Sequence, residues 1–149
     1  MDQLAELLGR LHPVILHFPL ALLVVGSVLE LFRCFRDSPF LEQAVRGLLG
    51  LGAIAALIAA GSGWLLAAHE HIRSDQRLIL ELHRWIGLAA AVWAVAAWWS
   101  ARAWGDAKAM KLVWGRRAFA LVTLVLITAA GHFGAALVWG NDWFSLNPS

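Results

Sequence analysis

The chain contains six histidines, and they are its best candidates for chemistry. A neutral imidazole can ligate haem iron or a transition metal, and it can accept or relay a proton near neutral pH. His17, His83 and His132 stand in long apolar stretches. An ionisable side chain there is costly and marks a candidate functional site. For any one of them, the alternative is a structural ring bonded to a backbone carbonyl of a neighbouring helix. Three such residues on three segments at similar depth favour a shared role, with two as axial ligands of one haem. His12 lies five residues before His17, which on a regular helix turns the two side chains about 140° apart. Pro13 and Pro19 disturb that geometry, so His12 is a reserve for a second haem, a quinol proton or a supporting bond. His69 and His71 fall in a polar joint and are expected to be hydrated.

The neighbours of these histidines suit a wide, flat ligand. Gly131 and Gly134 bracket His132, and Thr128, Ala135 and Ala136 share its helix face. Gly87 and Ala90 follow His83. Small residues also serve close helix packing, but on the histidine faces they leave room for a porphyrin. Arg84, with Arg73 and Arg77 in the adjacent joint, would supply cations for haem propionates, although an interfacial arginine can equally be snorkelling. The expected binding residues are therefore His17, His83, His132 and His12, with Arg84, Gly131 and Gly134. The expected cofactor is haem b. A compact transition-metal site on the same histidines is an alternative.

Four apolar segments must position these residues, at about Val14 to Phe32, Gly47 to Ala68, Ile79 to Ala101 and Ala118 to Trp139. Each is near the roughly 20 residues that a membrane-spanning helix needs. Backbone groups in hydrocarbon must bond internally, which makes these runs helices. Short joints make neighbours antiparallel. The expected fold is an all-α, up-down bundle of four transmembrane helices in one domain, residues 1–149. A short amphipathic interfacial helix over Met1 to Arg10 would precede it, with Leu4, Leu7, Leu8 and Leu11 at helical spacing. That segment lacks the basic start and cleavage site of a signal peptide.

Composition agrees. The 149 residues are 60% hydrophobic and 15% charged, against roughly 45–50% and 25% in soluble domains. A net charge of +2 gives no nucleic-acid footprint. The lone Cys34 excludes an internal disulfide, a Cys-cluster zinc site and covalent haem attachment. A hydrolytic enzyme is disfavoured, because neither an HExxH sequence nor a phosphate loop between strand and helix appears.

Basic residues set a direction. Arg33, Arg36, Arg46, Arg102, Lys108, Lys111, Arg116 and Arg117 flank one set of span ends, while Arg10, Arg73, Arg77 and Arg84 flank the other. The positive-inside rule places the first set in the cytoplasm. Both termini and all six histidines then lie on the other side, toward a periplasm or its equivalent. Glu30, near the cytoplasmic end of the first span, is spaced to pair with Arg33. Trp64, Trp85, Trp139 and Trp143 mark one interface, and Trp98, Trp99, Trp104 and Trp114 the other.

The stretch Leu11-His12-Pro13-Val14-Ile15-Leu16-His17-Phe18-Pro19-Leu20-Ala21-Leu22 resembles the opening signature of the DUF2231 family of bacterial membrane proteins. Gly63-Trp64-Leu65-Leu66, Leu82-His83-Arg84-Trp85-Ile86-Gly87 and Gly131-His132-Phe133-Gly134-Ala135-Ala136-Leu137-Val138 extend the resemblance over nearly the whole chain. Gly134-Ala135 stands where the family usually has Gly-Gly. The resemblance implies a four-helix membrane domain without an assigned activity. Some members are joined to c-type cytochrome or Rieske-type domains, which implies redox work. The expected function is a cytochrome b-like electron-transfer subunit with haem near the periplasmic face. Its expected partners are the bilayer, a periplasmic c-type cytochrome or other redox subunit, and quinone. The competing expectation is a non-catalytic anchor or assembly subunit of a larger redox complex.

Overall fold

A computed structural model describes residues 7–69 and 74–140. After a helical stretch at 7–10, the elements are α1 (His12–Ile15), α2 (His17–Phe32), α3 (Pro39–His69), a 3-10 turn (Ser74–Gln76), α4 (Arg77–Ala103) and α5 (Met110–Trp139). Most of the expected interfacial helix, residues 1–6, lies outside the described residues. The first span is broken at Leu16 between α1 and α2. Pro13 fits the first turn of α1, where a missing N–H costs nothing. Pro19, third in α2, has no N–H to offer the Ile15 carbonyl, so the ladder is interrupted just upstream.

Four helical segments are long and apolar enough to cross a membrane: His12–Phe32, Pro39–Ala68, Ser74–Ala103 and Met110–Trp139. The second and fourth begin eight residues earlier than their apolar runs. A 30-residue helix is roughly 45 Å long, against a hydrocarbon core of about 30 Å. The extra turns therefore carry polar side chains into the interface, and they include Glu42, Arg46 and Arg116. Gly140, at φ 87°, ends α5 in a conformation that favours glycine.

The helices close a ring in which α2 packs on α3, α3 on α4, α4 on α5 and α5 back on α2. Small side chains line the seams: Ala53, Ala56 and Ala59 on α3, and Ala90, Ala91, Ala94, Ala97 and Ala101 on α4 are all buried. Leu23, Val45 and Leu49 fill the space between them. Without a hydrophobic driving force between helices in lipid, such close approach supplies the dispersion contacts that hold the bundle. Large apolar side chains such as Phe18, Leu51, Val92 and Val125 point outward, as hydrocarbon around the bundle requires. The ring has two distinct ends. The histidine end holds α1, the start of α4 and the end of α5; the arginine end holds the 33–38 and 104–109 connections.

Candidate functional site

His12 and His83 meet at the histidine end, with ring centroids 6.1 Å apart and planes at 73°. His12 opens α1, and its Nδ1 is 3.1 Å from Ser62 Oγ on α3. The Ser62 hydroxyl donates to the Ala59 carbonyl at 3.0 Å. It therefore accepts from His12, which puts the His12 proton on Nδ1. His83 Nδ1 lies 2.9 Å from the Ala130 carbonyl of α5. A carbonyl can only accept, so this ring also carries its proton on Nδ1 when neutral. In both rings Nε2 is then the nitrogen with the lone pair.

Two glycines make the pair possible. A Cβ on Gly63 would lie 2.8 Å from His12 Cε1, and one on Gly134 would lie 3.0 Å from His83 Cε1. Gly134 thus makes room for an imidazole from α4, rather than for a ligand beside His132. A Cβ on Gly131 would lie 3.1 Å from Leu20 Cδ1.

The two histidines line a cavity of about 420 Å³ between the helices, within the size range of small-ligand sites. Its wall is mainly aliphatic, with Ala56, Leu80, Leu88 and Ile127 among the lining residues, and Gly131 and Gly134 also contribute. Its polar groups include Gln76 and Arg84. The Arg84 guanidinium carbon lies 3.9 Å from the Trp64 ring centroid, and Nη1 is 3.6 Å from Glu81 Oε1.

The expected trio of His17, His83 and His132 is not brought together. His17 and His132 are exposed on the outside of the bundle and do not line the cavity. His132 packs its ring on Phe133 at 5.6 Å. The five-residue spacing puts His12 and His17 on different faces, so that His12 lines the cavity and His17 is exposed. Among the described residues, no group of three or more His, Cys, Asp or Glu is placed to hold a metal ion. The side chain of His69 and all of His71 lie outside the described residues. Ser62 was not singled out by the sequence, and Gly63 only as part of the Gly63-Trp64-Leu65-Leu66 resemblance, not as a site residue. The signal available for them was a small pair one helix away from His12.

A second polar cluster occupies the arginine end. Glu30 receives Arg33 Nη1 at 3.0 Å and Arg116 Nε at 2.7 Å, all three residues being buried. The Arg33 pairing was expected from spacing; Arg116 adds a partner from α5. Arg116 Nη1 also donates to the Trp104 carbonyl at 2.7 Å, and both arginines reach the Gly105 carbonyl. Arg46 pairs with Glu42, and Arg33 Nε bonds Asp37 Oδ1 at 2.7 Å. The Arg33 hydrogen bond holds the Asp37 carboxyl below the usual carboxylate range.

A family model described as a predicted membrane protein, DUF2231, matches residues 10–143. No curated protein and no solved structure matches the chain.

Proposed function

The chain belongs to the DUF2231 family of predicted membrane proteins, and from that premise we propose that it is a multi-pass electron-transfer subunit with haem b held between His12 and His83. The observation that carries this reading is the imidazole pair itself. The rings come from separate helices, are tied at Nδ1 to backbone or backbone-linked acceptors, and border one apolar cavity. Ligating histidines generally have their second nitrogen fixed in this way, which sets the tautomer and raises the basicity of the first. The His12 and His83 centroids stand 6.1 Å apart, and these two residues would hold the group. Bound haem would supply one-electron chemistry. The chain's own contribution is to present two neutral nitrogens at a mainly aliphatic cavity and fix ring orientation through Ser62 and Ala130.

This reading revises the ligand set to His12 and His83, and the test separates it from the original trio. The purified protein, reconstituted with haem in lipid nanodiscs, is expected to show a low-spin Soret band and reduced α and β bands. His12→Ala and His83→Ala should each turn the spectrum high-spin or release haem. His17→Ala and His132→Ala should leave it unchanged. Full retention in both of the first two variants overturns the assignment. A protein that stays colourless supports the anchor-subunit alternative. Because imidazole ligates in its neutral form, haem should also be held less tightly in acid.

The arginine end carries eight of the twelve basic residues, which supports a cytoplasmic placement in a bacterial inner membrane, with the histidine cavity and both termini toward the periplasm. Exchange with a periplasmic c-type cytochrome, another redox subunit or quinone follows from that orientation. A reporter active only in the cytoplasm, fused after Ser149, should be silent; activity would reverse the orientation.

A further inference from the structure

The histidine-end cavity carries a cation that the imidazole pair does not use. Arg84 follows His83 on α4 and lines the same space. Its stacking on Trp64, at 3.9 Å, fixes the plane of the guanidinium. The Glu81 carboxylate forms an ion pair with Nη1 at 3.6 Å, too long for a hydrogen bond. It accepts instead from Trp85 Nε1 at 3.2 Å. Arg84 Nε is enclosed, and no acceptor among the described residues reaches it. An enclosed charged donor without an acceptor is unfavourable, so the group is suited to an acceptor from outside the chain. Gln76 adds an amide to the same lining. The rest of the wall is mostly aliphatic, which excludes a small hydrated anion as the natural occupant. A ligand that answers both parts has an apolar body and an anionic, oxygen-bearing end. A carboxylate matches the planar fork of arginine in two parallel hydrogen bonds.

We propose that Arg84, stacked on Trp64, forms a carboxylate-binding subsite of this cavity, which accepts apolar ligands bearing a carboxylate at one end. The inference rests on the reading of the cavity as a ligand site, but it does not require iron ligation. Tetrapyrrole acids and lipid-derived fatty acids share the chemistry.

The test uses the whole protein in nanodiscs, with protein-free nanodiscs as background. Metal-free protoporphyrin IX and its dimethyl ester are titrated and followed by porphyrin fluorescence. Palmitate and methyl palmitate form a second pair, followed by calorimetry. The free acid of at least one pair should bind about tenfold or more tightly than its ester, as a charge-assisted hydrogen bond implies. Arg84→Gln should reduce that preference to about twofold or less, and Arg84→Lys should keep part of it as a point charge. A preference confined to the porphyrins assigns the site to tetrapyrrole acids, and one confined to palmitate assigns it to lipid-derived acids. A preference in both pairs leaves it general for apolar carboxylates. Equal affinity of acid and ester in both pairs, or a preference that survives Arg84→Gln, overturns the subsite. No binding by any of the four ligands overturns it together with the ligand-site reading. Acid preference in a protein that gives no low-spin haem spectrum overturns the haem reading alone.

Discussion

The two ends of the bundle bury polar groups in opposite ways. At the arginine end the charges answer one another: both Glu30 oxygens are taken, one by Arg33 and one by Arg116, and both arginines reach on to the Gly105 carbonyl. At the histidine end the hydrogen bonds that His12 and His83 make with described residues run through Nδ1, and both residues border a cavity of about 420 Å³. A saturated network fixes geometry, since removing one member leaves its buried partners unsatisfied. Polar groups with spare capacity beside a cavity are the usual mark of a binding site. The arginine end therefore reads as the clamp that fixes the 104–109 connection against α2, and the histidine end as the place where something binds.

The largest expected effect follows from removing the centre of the clamp. Glu30→Ala would leave Arg33 and Arg116, 4% and 3% exposed, without their shared carboxylate. Breaking a buried ion pair in this way costs about 3–5 kcal/mol. Thermal unfolding in detergent should shift strongly downward. Ligand spectra recorded below the new transition should be unchanged, because the cavity lies at the other end. Glu30→Gln keeps acceptor capacity at one oxygen and should fall between. An unfolding curve for Glu30→Ala that overlays the unmodified protein would mean the cluster is not a clamp.

The contrast also explains what the sequence could reveal. Apolar runs near 20 residues fix the number and order of the helices, because hydrocarbon leaves the backbone no other way to satisfy its hydrogen bonds. Their true ends were hidden. Glu42, Arg46 and Arg116 look like stop signals, yet they lie inside helices, with their charges compensated along α3 and across the bundle. The histidines were legible as candidates; which of them share a cavity was not. The five-residue spacing puts His12 and His17 on different faces, but only the packing shows that His12 meets His83 while His17 and His132 are exposed. The glycines beside His132 were visible as a source of room. That Gly134 makes this room for His83, on another helix, depends on packing that no local spacing encodes.

The next effect probes the histidine end without touching a histidine. A side chain at Gly134 begins with a Cβ 3.0 Å from His83 Cε1, and one at Gly63 begins 2.8 Å from His12 Cε1. In each case the nearest obstacle is a ring that can rotate away, not a backbone. Gly134→Leu and Gly63→Val should therefore displace an imidazole and break its Nδ1 bond. The stability cost should stay near the 1–3 kcal/mol typical of overpacking, below that of Glu30→Ala. Ligand retention should fall much further than the melting temperature. Normal haem content in Gly134→Leu, at normal expression, would show that this face serves packing alone.

The smallest effect belongs to the rim of the clamp and depends on pH. Asp37 accepts from Arg33 at 2.7 Å, but its carboxylate is 63% exposed. Water and salt weaken such a pair, and exposed ion pairs contribute only about 0–1 kcal/mol. The Arg33 hydrogen bond depresses the Asp37 pKa in the folded state, so the unfolded chain takes up this proton first as pH falls. The contribution is complete above the ordinary carboxylate value of about 3.9. It declines below that value and is lost once pH passes the lower, folded-state value. Asp37→Asn removes the titrating group while leaving the buried Glu30 pairings in place. Its melting temperature should be slightly lower than that of the unmodified protein at pH 6, and the difference should shrink as pH falls below the ordinary carboxylate range. The difference at pH 6 should shrink when ionic strength is raised. A difference between the two proteins that is constant from pH 6 to pH 3 would mean that Asp37 acts through packing or loop geometry rather than through its charge.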